Sequence, residues 1–299
     1  MANSTSHIPI YSQMIAILRN ALDMLDEQGR GEVIRFFLGQ QNADGGFHDR
    51  GGKSDLYYSL FGVMLLRAAE LEDGEPFERE SAERNMNFTS ESLLNLSQFI
   101  SGQSTAKVSG FIEQCCLVLL QKELKTTRFS RIKSLIHLGR SFWKERYSIN
   151  LSYRSFVLFL TLDAVLPFRG ILMRVAERML VRTTVDEHSP CSEVAARVFL
   201  QKMMNRKEPD ELNLLDSFVG TSGGFKTFQH QDQADMLSTA VALFVLDYVG
   251  YDLRLLKPDC LDFIQQNYSD GAFLSGDGDQ TADVEYTFYG LLALGVLGN

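Results

Sequence analysis

Three segments of the chain share one pattern, and this repeat limits the possible fold more than any other feature of the sequence. Each segment holds a Gly-(Gly/Ala)-Phe turn, a polar loop and an Asp that opens an apolar run; they begin at Gln40, Gly220 and Gln265. A hydroxyl residue follows each Asp by four positions. Three matches in one register predict an architecture in which copies of one small motif stack side by side.

Each copy predicts a tight joint between two helices. The glycines supply the positive φ that reverses the chain after a helix end. Asp55, Asp235 and Asp283 stand where the following helix begins, so each carboxylate is expected to accept free N–H groups of its first turn. The apolar runs that follow mix large and small residues, which is typical of a helix packed on all sides.

Extending this pattern along the chain predicts an all-α protein without a convincing strand. The predicted helices cover 8–27, 31–41, 55–70, 89–101, 106–122, 126–142, 151–166, 169–182, 191–205, 208–219, 233–249, 254–267 and 283–297. After an N-terminal helix over about 8–27, they pair into six hairpins over about 31–297, and the second member of each pair is generally the more apolar. Six such hairpins close into an α6/α6 toroid, so we expect a single domain over 1–299.

Composition narrows the function classes. The 299 residues carry a net charge of −9, and an acidic surface argues against binding nucleic acid. No apolar run approaches the roughly 18 residues of a membrane span, and the N-terminus lacks the pattern of a signal peptide. Two of the four cysteines are neighbours, which is unlike a disulfide framework. We therefore expect a reduced, cytoplasmic protein that is not integral to a membrane.

The repeats "QQNADGGF" and "QQNYSDGAF" resemble those of the prenyltransferase and squalene-cyclase repeat family. This family includes protein prenyltransferase β subunits and class II terpene cyclases. The resemblance extends over roughly 31–70 and 208–298. It implies an α/α barrel around an apolar cavity, and an isoprenoid as the expected partner.

The stretch "GGFHDRGGKSDLYYS" is similar to a motif of the protein prenyltransferase β subunits. By this resemblance Arg50, Lys53 and Tyr58 would bind the diphosphate of an isoprenoid. Asp55 stands at the position of a zinc-binding Asp. Tyr57 stands at the position of a zinc-binding Cys, and a phenol does not replace a thiolate on zinc.

A second zinc position of that family corresponds to Tyr286 in "DVEYT". With two of three ligands replaced, the resemblance implies that zinc is absent. Mg²⁺ or basic residues would then neutralise the leaving diphosphate. An acidic cluster over 270–285 could attract Mg²⁺, although a solvated acidic turn explains the same residues.

The cyclase branch of the family relies on a D-x-D-D acid, which does not occur in this chain. Asp163, within "FLTLDAVLPF", is the candidate for a buried acid with a raised pKa, and Asp55 is a further candidate for catalysis. The residues expected to line the cavity or its rim are Tyr57, Tyr153, Asp235, Asp283 and Tyr286.

Three functions therefore stay open. The first is an isoprenoid diphosphate binder or a zinc-independent prenyltransferase-like enzyme. The second is a non-catalytic toroid that binds a protein partner, since a fold alone does not fix function. The third is a divergent cyclase of the class II type.

Overall fold

The computed structural model describes residues 8–70, 79–103, 108, 110–125, 128–144, 151–166, 173–175, 177–178, 184–204 and 212–298. Within the helical stretches 79–89, 128–131, 142–144 and 151–153 it describes the backbone alone. No helix in these ranges combines the length and the hydropathy needed to span a membrane.

The described ranges contain twelve helices that we number α1 to α12. They are α1 (Ile10–Met24), α2 (Glu27–Gly39), α3 (Leu56–Ala69), α4 (Arg79–Gly102), α5 (Phe111–Glu123), α6 (Arg128–Lys144), α7 (Leu151–Val165), α8 (Cys191–Met203), α9 (Leu212–Asp216), α10 (Met236–Val249), α11 (Lys257–Gln266) and α12 (Val284–Leu297). A 3₁₀ turn at Leu253–Leu255 precedes α11, and the two-residue strands β1 (Tyr268–Ser269) and β2 (Ala272–Phe273) precede α12.

Six of these described helices form a closed inner ring. In the order α3, α5, α7, α8, α10 and α12 each helix packs on the next, and α12 returns to α3. The other helices from α2 onward connect successive members of the ring on its outer side. Inner helices such as α12 are buried on nearly all sides because neighbours, an outer helix and the ring interior surround them.

The repeated turns attach each inner helix to an outer helix farther along the ring. The first glycine of each turn has a positive φ, which is 90° at Gly45, 93° at Gly223 and 85° at Gly271. A Cβ at these positions would collide with a backbone carbonyl: of Asn95 on α4, of Asp259 on α11 and of Glu32 on α2. Glycine is therefore required at these positions for two reasons. The φ angle is positive, and the backbone of the neighbouring helix leaves no room for a Cβ. The third contact joins the last turn to the first outer helix and closes the ring.

The three repeats share a spacing of four residues between the Asp and the hydroxyl residue, and this spacing has a structural reason. Each hydroxyl accepts the N–H of its own turn Phe: Ser59 from Phe47 at 3.0 Å, Thr239 from Phe225 at 2.8 Å and Thr287 from Phe273 at 3.4 Å. These N–H groups are buried and would otherwise lack an acceptor. The side chain one helical turn into the inner helix thus fixes the turn before it.

The predicted Asp caps are confirmed. Asp55 accepts the N–H of Tyr57 at 2.7 Å and that of Tyr58 at 3.1 Å. Asp283 accepts the N–H of Tyr286 at 2.8 Å. Asp235 likewise accepts from Ser238, at 2.8 Å. Each of the three inner helices therefore begins with at least one of its free first-turn N–H groups bonded to the Asp cap.

Several predicted boundaries were wrong. The helix predicted at 31–41 begins at Glu27, because Asp26 caps it by accepting from Gly29 at 2.8 Å. The helix predicted at 89–101 starts ten residues earlier, and the one predicted at 208–219 ends at Asp216; its predicted start lies outside the described residues.

The all-α fold class is confirmed, and the strands in the described ranges are limited to one pair of two residues each. Tyr268 pairs with Phe273 in a small antiparallel hairpin around Gly271. The helix predicted at 169–182 lies mostly outside the described residues. The count of six hairpins therefore stays a prediction.

Helix α1 lies across the carboxyl ends of three inner helices, α3, α7 and α12. Arg19 donates to the carbonyl oxygen of Arg67 near the end of α3, at 3.2 Å. The backbone of Ile17 lies against Gly295 near the end of α12. At its own start, Ile10 N–H donates to the buried carboxylate of Asp163 near the end of α7, at 2.8 Å.

Candidate functional site

A cavity of about 80 Å³ lies in the centre of the ring, between α1 and five of the inner helices. Its wall is almost entirely apolar, with Met14 of α1 and Met64 of α3 beside six aromatic rings. The rings belong to Tyr57, Phe61, Phe156, Phe244, Phe288 and Tyr289. Ligand pockets in proteins are usually larger, about 300–1,000 Å³. The cavity in this conformation is therefore a narrow apolar core of the ring.

Ring-to-ring contacts build the side of the cavity where α3 meets α12. The centroid of Phe61 lies 4.7 Å from that of Phe288 and 5.5 Å from that of Tyr289. Tyr57 packs edge-on against Phe61 at 4.7 Å. Such stacked and edge-to-face pairs stabilise the wall, and their exposed π faces can interact with positive charge.

Arg50 spans the seam between the first and last repeats, at the glycine-turn end of the ring. Its Nε donates to Asp283 at 2.7 Å and its Nη1 donates to Asp279 at 2.6 Å. The guanidinium also lies 5.2 Å from the ring centre of Tyr286. Partial burial lowers the pKa of Arg50, but the carboxylates of Asp283 and Asp279 outweigh it and raise that pKa overall. The cation is thus held by acids of the same chain.

Glu285 lies beside this pair, one residue into α12. The hydroxyl of Tyr57 donates to its Oε1 at 2.7 Å. Burial raises the pKa of Glu285, and the charge of Asp283 adds to this, while the hydrogen bond from Tyr57 acts in the opposite direction. Burial and the charge of Glu285 also raise the pKa of Tyr58, which keeps the phenol protonated as a donor.

The beginning of α10 adds a further carboxylate. Asp235 accepts both the N–H and the hydroxyl of Ser238, each at 2.8 Å. Burial raises the pKa of Asp235, the bonds from Ser238 lower it, and the nearby charge of Asp277 raises it. We call the group of Arg50, Asp235, Asp279, Asp283, Glu285, Tyr57, Tyr58 and Tyr286 the rim. Its carboxylates outnumber its single cation.

The family model for the prenyltransferase alpha-alpha toroid domain matches residues 11–87 and 192–299. The chain belongs to this family. No curated protein sequence matches it. The inner and outer helices therefore form an α/α toroid, and α5, α6 and α7, which fall between the two matched segments, belong to the same toroid.

The toroid brings most of the residues predicted for diphosphate binding and for the cavity to one place. Arg50, Tyr57 and Tyr58 meet Asp283 and Tyr286 at the rim. Among the residues predicted to line the cavity, Tyr57 forms part of its wall.

Of the other predicted residues, Asp235 also belongs to the rim. Asp235 caps α10 at the rim, and Lys53 is exposed in the first turn. Tyr153 begins α7 in the described backbone, but its side chain lies outside the described residues. Arg50 and Tyr58 therefore lie together at the rim, whereas the side chain of Lys53 is exposed and its backbone N–H donates to Asp49 at 2.9 Å.

The two candidate catalytic carboxylates occupy structural positions. Asp163 is buried as expected, but it caps α1 at the carboxyl end of α7. On α7 the cavity wall consists of Phe156, Val157 and Leu160 instead. Asp55 is engaged by the first-turn N–H groups of α3. Catalysis by either carboxylate stays a prediction.

Glu285 is the residue that sequence reasoning missed. It was assigned to an acidic cluster, although its place two residues after the capping Asp283 puts it in the first turn of an inner helix. The described residues contain no group of three His, Cys, Asp or Glu side chains arranged to hold a metal ion. Mg²⁺ binding by the acidic cluster stays a prediction as well.

Proposed function

We propose that this toroid binds an isoprenoid or a similar apolar molecule in its central cavity, with the polar end of the ligand at the rim. The observation that carries the proposal is the aromatic wall, where rings from α3, α7, α10 and α12 converge on one apolar space. Membership of the prenyltransferase toroid family supports the same class of ligand.

The cavity must widen to admit such a ligand. At about 80 Å³ it is several-fold smaller than a typical pocket. Met14 and Met64 are the residues best suited to move, because an unbranched thioether side chain adopts many rotamers at little cost. Tyr57 is half-buried at the wall and would rotate toward the rim.

The charges at the rim favour an uncharged polar end, such as an alcohol. A diphosphate would meet Asp279, Asp283 and Glu285, and Arg50 is already bound by two of them. An alcohol can instead donate to Glu285 or accept from the Tyr58 phenol. The alternative, in which Arg50, Lys53 and Tyr58 hold a diphosphate, requires both Asp side chains to release Arg50 or Mg²⁺ to bridge the charges.

Glu285 gives the enzymatic alternative a specific candidate acid. A carboxyl group with a raised pKa beside aromatic rings is suited to protonate an alkene and stabilise the resulting cation. If the toroid is a cyclase-type enzyme, we propose Glu285 for this role in place of Asp163. The small cavity favours the other alternative, a non-catalytic toroid that binds a protein partner.

Calorimetric titration with farnesol and with farnesyl diphosphate tests the proposal. We expect farnesol to bind the wild type more tightly than the diphosphate does. Val241→Phe adds a ring to the cavity wall and should weaken farnesol binding at least tenfold. Val249→Phe, at the end of the same helix and away from the wall, is the matched control.

The double variant Arg50→Ala/Lys53→Ala tests whether the ligand carries an uncharged polar end or a diphosphate. If the diphosphate binds more tightly than farnesol and the double variant abolishes that preference, the diphosphate version is correct. If neither molecule binds, the isoprenoid proposal fails and the protein-binding alternative remains.

A further inference from the structure

The outer helix α6 carries a charge opposite to that of the whole chain. Its 17 residues include no Asp or Glu. They include five basic residues: Arg128, Arg131, Lys133, Arg140 and Lys144. The chain as a whole has a net charge of −9. Five of the 29 Lys and Arg residues therefore lie on one helix without an acidic residue, and this helix contributes no side chain to the central cavity.

The inward face of α6 is fixed to the toroid. The hydroxyl of Ser134 donates to Gln121 of α5 at 2.8 Å. Leu138 is buried in an apolar cluster with Cys115 of α5 and Leu158 of α7. The opposite face of α6 is therefore presented to solvent in a defined orientation.

This outward face is apolar along its centre and basic along its side. Ile132 is 49% exposed and Ile136 is 53% exposed, and they are four residues apart on one helical stripe. Lys133 and Arg140 are exposed beside them. By register, position 143 continues the stripe of Ile136, and it holds the only tryptophan of the chain. We call the stripe of Ile132, Ile136, Lys133 and Arg140 the α6 face.

We propose that the α6 face docks the toroid onto an anionic membrane surface. Cationic side chains on such a helix are attracted to acidic lipid head groups, while isoleucines enter the boundary between head groups and acyl chains. A helix of 17 residues is about 25 Å long, enough to lie along the surface as a contact line.

The two exposed isoleucines favour lipid over other anionic partners. Nucleic acid phosphates would satisfy Lys133 and Arg140, but they offer no apolar region for Ile132 and Ile136. A membrane interface accepts both kinds of side chain at once. This inference is independent of what the central cavity binds.

Vesicle co-sedimentation of the full chain tests the proposal. We expect binding to vesicles of phosphatidylcholine mixed with phosphatidylserine, and at least tenfold weaker binding to phosphatidylcholine alone. Added salt should weaken the binding, because it screens the attraction between exposed charges. Lys133→Glu/Arg140→Glu should reduce the affinity at least tenfold.

The apolar part of the contact has its own variants. Ile132→Ser/Ile136→Ser should also weaken binding to the mixed vesicles. Leu255→Ser is the matched control, since Leu255 is 89% exposed and lies near α11, outside the α6 face. The control should bind as the wild type does.

Trp143 provides a reporter of the site of contact, because it is the only tryptophan. Lipids brominated in their acyl chains should quench its fluorescence when the protein binds.

Binding without quenching, or binding that survives both α6 double variants, would place the contact elsewhere and overturn the proposal. Equal binding to both vesicle types, no vesicle binding, or preferential binding to DNA would overturn it too. Self-association that the α6 variants abolish, without vesicle binding, would assign the face to a second copy of the chain.

Discussion

The Nε of Arg50 and the Oδ2 of Asp283 lie 2.7 Å apart, although the two residues are 233 positions apart in the sequence. This bond connects the first repeated turn to the N-cap of the last inner helix. The same seam is closed by Tyr57 with Glu285, and by the contact of Gly271 with α2. The ring thus depends on polar bonds at the place where its two ends meet.

Arg50→Ala should destabilise the protein by about 1–2 kcal/mol. The loss leaves the carboxylate of Asp283, whose side chain is only 4% exposed, without its cation. The guanidinium itself is 37% exposed, which keeps the expected value at the low end for a buried pair. Urea denaturation measures the change in the free energy of unfolding.

Arg254→Ala is the matched control for this seam. Its partner Asp252 is two residues away and both side chains are well exposed. We expect a much smaller loss of stability than for Arg50→Ala, because solvent screens an exposed pair. An equal loss in both variants would show that the Arg50 bond does not stabilise ring closure.

Gly45→Ala should cost clearly more than Gly52→Ala, by about 2 kcal/mol or more. Both glycines have a positive φ, 90° and 80°, so both variants include backbone strain of about 1–2 kcal/mol. Only at Gly45 would the new Cβ also collide with the backbone of Asn95. At Gly52 no atom lies within 4 Å of the new Cβ. Thermal or urea unfolding of the two variants gives the difference.

Thr239→Val should destabilise the protein by about 1–3 kcal/mol, because the buried N–H of Phe225 loses its acceptor. Thr287→Val should cost less, since the corresponding bond from Phe273 is 3.4 Å long and therefore weak. Urea denaturation of both variants tests this order. The reverse order would contradict the role given to the hydroxyls in holding the turns.

Glu285→Gln should change how stability depends on pH. Burial raises the pKa of Glu285 above its ordinary value of 4.5, so the folded protein keeps a proton that the unfolded chain loses. The stabilisation is full below that ordinary value and declines as the pH rises toward the folded pKa. Relative to wild type, the variant should therefore gain stability as the pH rises above about 4.5.

Urea titrations at several pH values measure this effect. Glu27→Gln, on the exposed first turn of α2, is the control and should show a smaller trend. A difference in the free energy of unfolding between Glu285→Gln and wild type that stays constant from below to above pH 4.5 would refute the assigned direction of the pKa shift.

Repeats and helix caps made most of the fold predictable. The spacing of Asp55 and Ser59 is short in sequence, so a local pattern was enough to locate the turn and the start of α3. The start of α2 was misplaced because Asp26 stands outside the repeat. The β1–β2 hairpin was missed because a pair of two-residue strands leaves no period in the sequence.

The candidate site could be predicted only in part. The motif placed Arg50 and Tyr58 in one turn, and the structure brings them together at the rim. The partners of Arg50 come from the opposite end of the chain, and one sequence carries no direct signal of such a long-range pairing. The small size of the cavity depends on how side chains from six helices interlock, which a list of apolar residues does not determine.

The position of α1 makes the two ends of the toroid different from each other. Because α1 packs on the carboxyl ends of α3, α7 and α12 and is anchored there by Asp163, it covers the ring on that side, while the charged residues of the rim lie at the opposite, glycine-turn end. A ligand that enters from the glycine-turn end would therefore meet Arg50 and Glu285 before it reaches the aromatic wall.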